Sequence, residues 1–152
     1  MSTLNKLLVK DAIIMNLNAE TPSQVIEILG TRLKEAGYVR STFVKGALDR
    51  ESRLPTGLPL GGSINAAIPH TEVQHVIKAG LALATLSKEV NFNNMVNPSE
   101  EVPVRLVFVM ALSEPHQQVT MLQEIADVLQ NEATIETIIN ATSIEEITKV
   151  LE

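Results

Sequence analysis

The most constraining feature of the sequence is a nearly continuous apolar run at residues 104–112 (VRLVFVMAL), which is rich in strand-forming side chains. A half-exposed strand alternates apolar and polar residues, whereas a strand that is apolar throughout must be covered on both faces. Less continuous or shorter apolar runs predict three further strands at residues 12–15, 64–68 and 76–86. Residues 52–63 are dense in glycine and proline, which predicts a loop, and residues 91–101 are polar and turn-rich.

The first predicted helix has signals at both of its ends. Thr21 can cap it, Pro22 suits its first position, Gln24 completes a capping box, and Gly37 marks its end. Its inward face is expected to hold Val25, Leu29 and Leu33. A second helix is predicted over residues 41–51. The residues of that helix expected to face inward are Phe43, Val44, Ala47 and Leu48.

Three more helices are predicted in the C-terminal third of the chain. Residues 113–116 (SEPH) suit a helix start, residues 134–140 a short helix, and residues 143–146 form a second capping box. Their expected core residues are Val119, Leu122, Ala126 and Leu129, then Ile135, Ile138 and Ile139, then Ile144, Ile147 and Leu151. Helices on both faces of a sheet predict a single α/β domain over residues 1–152, a three-layer α/β/α sandwich with a mixed β-sheet.

Charge and composition exclude several classes of protein. The net charge is −6, aromatic residues make up 3% of the chain, and lysine and arginine form no cluster, which argues against nucleic-acid binding. The absence of cysteine excludes disulfides, thiolate metal sites and a cysteine nucleophile, and it fits a reducing cytosol. The apolar runs are too short to cross a bilayer, so we expect a cytoplasmic protein that reaches a membrane only through a partner.

Two histidines share one setting, because His70 and His116 each follow a proline at the end of an apolar strand. Ligands of open α/β sheets usually bind at the carboxyl ends of strands. Neutral imidazole is a competent nucleophile near neutral pH, and His116 falls in a predicted helix first turn, which favours anions. Arg50 could neutralise the charge of such an anion, and the hydroxyl of Thr71 could donate a hydrogen bond to it. These residues predict a phosphoryl group carried on His70.

Simpler interpretations stay open beside this one. A histidine that follows a proline is more often a surface loop residue, and Arg50 could be only a favourable cation at a helix end. We expect His75 to be an exposed or structural residue at the start of a strand. A zinc site formed by all three histidines can be imagined, although its spacing matches no standard arrangement. No glycine-rich nucleotide-binding motif is present.

Three ordered segments carry a more specific signal: residues 50–57 (RESRLPTG), 67–71 (AIPHT) and 114–118 (EPHQQ). Together they resemble the signature of the IIA components of the bacterial phosphoenolpyruvate-dependent sugar phosphotransferase system, in the fructose/mannitol class (EIIA type-2). The resemblance runs over nearly the whole chain. It implies the fold of that family, a mixed sheet between helices, and it implies neither a metal nor a nucleotide cofactor.

The resemblance also implies a reaction. His70 would accept phosphate at Nε2 from the histidine phosphocarrier protein HPr and pass it to a cysteine of a IIB component, while a membrane IIC component imports the sugar. His116 would orient the phosphoryl group and Arg50 would neutralise its charge.

The resemblance to one subfamily is weaker than the resemblance to the family. The features most similar to galactitol-type IIA proteins are the stretch at residues 55–57, Thr71 with Glu72, His75, and Phe92. Galactitol-type proteins need not keep a second histidine, whereas this chain has His116. The substrate could therefore be another polyol, such as a pentitol. The alternatives are a regulatory nitrogen-type IIA protein whose phosphorylation controls partner binding, and a non-catalytic metal- or ligand-binding domain that uses the three histidines.

Overall fold

A five-stranded mixed sheet forms the centre of the computed structural model, in the order β1-β4-β5-β3-β2. The structure describes residues 3–152, so the first two residues of the predicted 1–152 domain lie outside the described part. The strands are β1 (Leu8–Leu17), β2 (Gly57–Leu58), β3 (Asn65–Ala67), β4 (Gly80–Asn93) and β5 (Glu101–Ala111). The helices are α1 (Thr3–Leu7), α2 (Pro22–Glu35), α3 (Phe43–Arg53), α4 (Pro115–Leu129), α5 (Glu132–Ile139) and α6 (Ile144–Val150).

The two faces of the sheet hold two separate apolar clusters, because alternate residues of a strand point to opposite faces. Ala82, Ala84 and Leu86 of β4 join a cluster with the inward residues of α2 and α3. Leu81 and Leu83 join the other cluster, which is built with α1, α4, α5 and α6. The predicted three-layer α/β/α sandwich is therefore confirmed.

The sheet is mixed because parallel and antiparallel pairs alternate across it. β1 pairs with β4 and β3 pairs with β5 in parallel, whereas β4–β5 and β2–β3 are antiparallel. The central strand β5 is buried on both faces, as its apolar sequence predicts. Since β3 runs parallel to β5, the chain leaves both strands at the same edge of the sheet. That edge receives the segment containing His70.

Strand boundaries differ most from the sequence analysis in β4. The strand predicted over residues 76–86 begins at Gly80 and continues to Asn93, through part of the segment predicted to be turn-rich. Val90 and Phe92 are buried there and pair with β5, so tertiary packing overrides local polarity. Among residues 3–152, three elements escaped prediction: the helix α1, a 3₁₀ turn at Val73–His75, and β2, which consists of two residues inside the predicted loop.

Helix positions also depart in part from the expectations. α3 covers Phe43–Arg53 rather than residues 41–51, and its Val44 and Leu48 are only half-buried. On α4 the buried face is formed by Met121, Ile125 and Leu129. Of the predicted core residues, Leu129 is buried and Leu122 half-buried, but Val119 is 61% exposed and Ala126 is exposed, so the predicted face of α4 was wrong at those two positions. Over residues 3–152 no helix has the length and apolar character needed to cross a membrane.

Candidate functional site

His70 lies at the edge of the sheet where β3 and β5 both end. The carbonyl of Pro69 accepts a hydrogen bond of 3.0 Å from the backbone N–H of Met110, which places His70 beside the end of β5. Proline has no N–H to donate, so it suits the point where regular strand pairing stops. His70 is only 8% exposed, and the surrounding sheet fixes its backbone.

The ring of His70 is held in one tautomer by the backbone. Its Nδ1 lies 2.9 Å from the carbonyl oxygen of Ile68. Because a carbonyl oxygen can only accept, Nδ1 carries the proton, and Nε2 keeps its lone pair. Burial lowers the pKa of His70, and the charge of Arg50 lowers it further, against opposing effects of Ile68 and Glu72. The imidazole is therefore neutral near neutral pH, with Nε2 available as a nucleophile.

Arg50 and Thr71 both interact with one carboxylate, that of Glu72. Arg50 Nη1 lies 3.7 Å from Glu72 Oε2, and the hydroxyl of the buried Thr71 donates to the same oxygen at 3.1 Å. Slight burial tends to raise the pKa of Glu72. Hydrogen bonds from Thr71 and the backbone, with the charges of Arg50 and His75, outweigh that effect, so this pKa is lowered. Arg50 and Thr71, two of the three residues expected to contact a phosphoryl group, thus share the carboxylate of Glu72.

Glu51 anchors the loop that follows α3, a role that the sequence analysis missed. Its Oε2 accepts the backbone N–H of Thr56 at 2.9 Å, and its Oε1 accepts the Thr56 hydroxyl at 2.8 Å. Burial raises the pKa of Glu51, and the two bonds from Thr56 and the charge of Arg50 oppose that rise. The available sequence signal was the position of Glu51 between Arg50 and the threonine of the first motif.

Close packing between α3 and the segment after His70 depends on a glycine. A Cβ on Gly46 would lie 2.9 Å from Thr71 Oγ1 and 3.0 Å from His75 Nε2. His75 Nδ1 lies 2.8 Å from the hydroxyl of Thr42, the residue before α3. His75 lies in a 3₁₀ turn (Val73–His75) rather than at the start of a strand. Its half-buried position and its contacts agree with the structural role expected for it.

His116 has a partner of its own in this structure. It occupies the first turn of α4, as predicted, and its side chain is 78% exposed. Its Nε2 lies 2.9 Å from Glu114 Oε2, and Glu114 also caps α4 together with Gln117. Within residues 3–152 no hydrogen bond or ion pair joins His116 to His70, Arg50 or Thr71. The structure therefore links Arg50 and Thr71 through Glu72, two residues after His70, and pairs His116 with Glu114.

The imagined zinc site gains no support from the described part of the chain. Among residues 3–152 no group of three or more histidine, aspartate or glutamate side chains is placed to hold a metal ion. The ring nitrogens of the three histidines have different partners: Ile68 for His70, Thr42 for His75 and Glu114 for His116.

Comparison with known proteins identifies the family of the chain. The family described as "Phosphoenolpyruvate-dependent sugar phosphotransferase system, EIIA 2" matches residues 6–152. The galactitol-specific EIIA component of Escherichia coli strain K12 is 29% identical over 117 residues, 77% of each chain. The mannitol-specific enzyme IIA component of Staphylococcus aureus strain MRSA252 is 28% identical over 152 residues, 98% of this chain and 97% of that protein.

A solved structure extends the similarity to the fold. Escherichia coli enzyme IIAMTL, determined in complex with phosphorylated enzyme IIBMTL, superposes with a TM-score of 0.77 at 28% identity. The match covers 95% of this chain and 96% of that one. The predicted family is thus confirmed. This chain belongs to the EIIA type-2 family of the phosphoenolpyruvate-dependent sugar phosphotransferase system, whose EIIA components are phosphotransferases.

Proposed function

We propose that this protein is a phosphocarrier that accepts a phosphoryl group from HPr on His70 and passes it to a cysteine of a IIB component during uptake of a sugar or polyol. The observation that carries the proposal is the state of His70. A buried, neutral imidazole with Nδ1 bonded to Ile68 presents Nε2 as the nucleophile. Arg50, whose charge acts on His70, and Thr71, the next residue of the chain, supply donors for the oxygens of a phosphoryl group.

Two in-line displacements complete the reaction. In the first, the Nε2 lone pair of His70 bonds to phosphorus while the bond from phosphorus to the HPr histidine breaks, and the HPr nitrogen keeps the bonding pair. In the second, a IIB thiolate bonds to phosphorus, and Nε2 recovers its pair. Little covalent chemistry is required of the protein in either step, because phosphoryl transfer depends mainly on positioning and charge stabilisation.

The remaining site residues assist the phosphoryl group without bonding to phosphorus. Arg50 neutralises the charge on its oxygens, and Thr71 donates a hydrogen bond, after both exchange Glu72 for the phosphoryl oxygens. His116 orients the group during transfer. In this role His116 exchanges Glu114, its present partner, for a phosphoryl oxygen. No metal or nucleotide takes part in the proposed steps.

The proposed substrate is a polyol of the galactitol type. The galactitol-specific relative supports it over 77% of the chain, and the mannitol-specific relative, which aligns over 98%, keeps mannitol as the competing polyol. The IIB partner is supported by the IIAMTL complex with phosphorylated IIBMTL. HPr as donor and a membrane IIC component as the final partner follow from the family reaction.

Phosphorylation in a reconstituted system tests the proposal. With phosphoenolpyruvate, enzyme I and HPr, the wild type should gain one acid-labile phosphate and the His70→Gln variant none, while His75→Gln serves as a histidine control. Labelled protein is then mixed with galactitol-type or mannitol-type IIB to see which accepts the phosphate. Labelling of His70→Gln would refute the assigned nucleophile. Phosphorylation without transfer to either IIB would refute the assignment to galactitol-type or mannitol-type uptake.

A further inference from the structure

One expected hydrogen bond is replaced where β2 and β3 approach His70. Gly57 is opposite Ala67 and Leu58 is opposite Ala66, so Thr56 is opposite Ile68 in the same antiparallel register. The N–H of Ile68 donates to the carbonyl of Thr56 at 3.3 Å. In an antiparallel pair of this kind the two residues normally exchange both bonds. The reciprocal bond, from the Thr56 N–H to the Ile68 carbonyl, would complete the pair.

The two groups of that reciprocal bond have other partners. The Thr56 N–H donates to Glu51 Oε2 at 2.9 Å. The Ile68 carbonyl accepts Nδ1–H of His70 at 2.9 Å. The carboxylate is fixed by a second bond, from the Thr56 hydroxyl at 2.8 Å, so it is a well-placed competitor for the backbone donor.

From this exchange of partners we propose that Glu51 is a positioning residue for His70. By holding the N–H of Thr56, it keeps the Ile68 carbonyl oriented toward Nδ1–H, and so leaves Nε2 unprotonated. A carbonyl oxygen can accept two hydrogen bonds. An inter-strand bond from the Thr56 N–H would nevertheless draw the Ile68 carbonyl toward Thr56 and weaken its bond with Nδ1–H of His70. The use of Nε2 rests on the proposed phosphocarrier function, whereas the tautomer is a property of the unphosphorylated protein.

The tautomer of His70 is measured directly from the ring ¹⁵N shifts in a long-range ¹H–¹⁵N correlation spectrum. In the wild type, Nδ1 should be protonated and Nε2 unprotonated. Glu51→Leu removes both acceptors while keeping an apolar stem of similar length, so the Nε2–H form should become substantially populated. Phosphorylation by HPr should slow by about tenfold or more, the range typical of a lost residue that orients a histidine.

Matched variants separate positioning from simple loosening of the loop. Glu51→Gln keeps an oxygen for the Thr56 N–H and should retain the wild-type tautomer. Thr56→Val removes the hydroxyl bond and keeps the N–H bond, so it should also retain that tautomer. If Glu51→Leu retained it too, or if Thr56→Val lost it, the proposal would be overturned.

A measurement on the wild type covers the case in which Glu51→Leu does not fold. The amide proton shift of Thr56 should follow the titration of the Glu51 carboxyl group, because the two are hydrogen-bonded. An amide shift that ignores this titration would overturn the proposal. A wild-type protein with the expected tautomer that HPr fails to phosphorylate would instead refute the proposed function and leave the role of Glu51 intact.

Discussion

Gly46→Ala tests whether the site depends on the close approach of α3. The new Cβ would lie 2.9 Å from Thr71 Oγ1 and 3.0 Å from His75 Nε2, whereas ordinary contact begins at 3.4 Å. These two side chains must therefore retreat by about half an ångström. Overpacking of this kind costs roughly 1–3 kcal/mol, and replacing a helical glycine by alanine returns roughly 0.5–1 kcal/mol. We expect the free energy of unfolding to fall by about 1 kcal/mol.

The effect of Gly46→Ala on phosphorylation should exceed its effect on stability. Thr71 follows His70 directly, and displacements of about 1 Å can reduce rates about a hundredfold, so we expect about a tenfold slower transfer from HPr. Urea unfolding gives the stability, and the initial rate of labelling gives the transfer. Gly30→Ala is the control: its Cβ would lie 2.7 Å from Val44 Cγ2. It should destabilise the protein yet leave labelling unchanged. Labelling of Gly46→Ala within twofold of wild type would refute the reasoning.

Three further predictions concern charge and protonation at the site. His116→Ala should still accept phosphate from HPr and pass it to IIB more slowly in rapid-quench experiments; unchanged transfer would make its position incidental. Glu72→Gln removes a charge 3.7 Å from Arg50 and should tighten the binding of inorganic phosphate about threefold, followed by NMR titration. The lowered pKa of His70 means that the unfolded chain binds its proton more readily, so stability should fall as pH drops below 6.5. His70→Gln should reduce the pH dependence of the free energy of unfolding measured in urea. An equal pH dependence in both proteins would contradict its attribution to His70.

Local signals in the sequence predicted α2 correctly because its ends are set by neighbouring residues. Thr21 Oγ1 accepts the N–H of Gln24 at 3.2 Å, as a capping threonine should. Gln24 closes the turn with the N–H of Glu20 rather than that of Thr21, a shift of one residue from the expected capping box. Gly37 has a φ of +87°, which is the left-handed conformation that ends a helix.

Contacts between distant residues explain what sequence analysis could not predict. The strand β2 has two residues and exists through its pairing with β3. The position of Glu51 beside the pairing of Thr56 with Ile68 depends on a register that no local pattern encodes. The motifs predicted Arg50, His70 and Thr71 as a group. They did not predict that Glu72 would contact both Arg50 and Thr71, because the contact with Arg50 joins residues that are distant in the sequence.

The engagement of Arg50 and Thr71 by Glu72 has a consequence for the energetics of a carrier. A phosphoryl group arriving on His70 would compete with a carboxylate already in place, rather than with water alone. Part of the attraction between the phosphoryl group and its donors would then be spent on displacing Glu72. Because an exposed ion pair contributes about 0–1 kcal/mol, the re-formed Arg50–Glu72 pair would ease release of a phosphoryl group from His70 by no more than that amount.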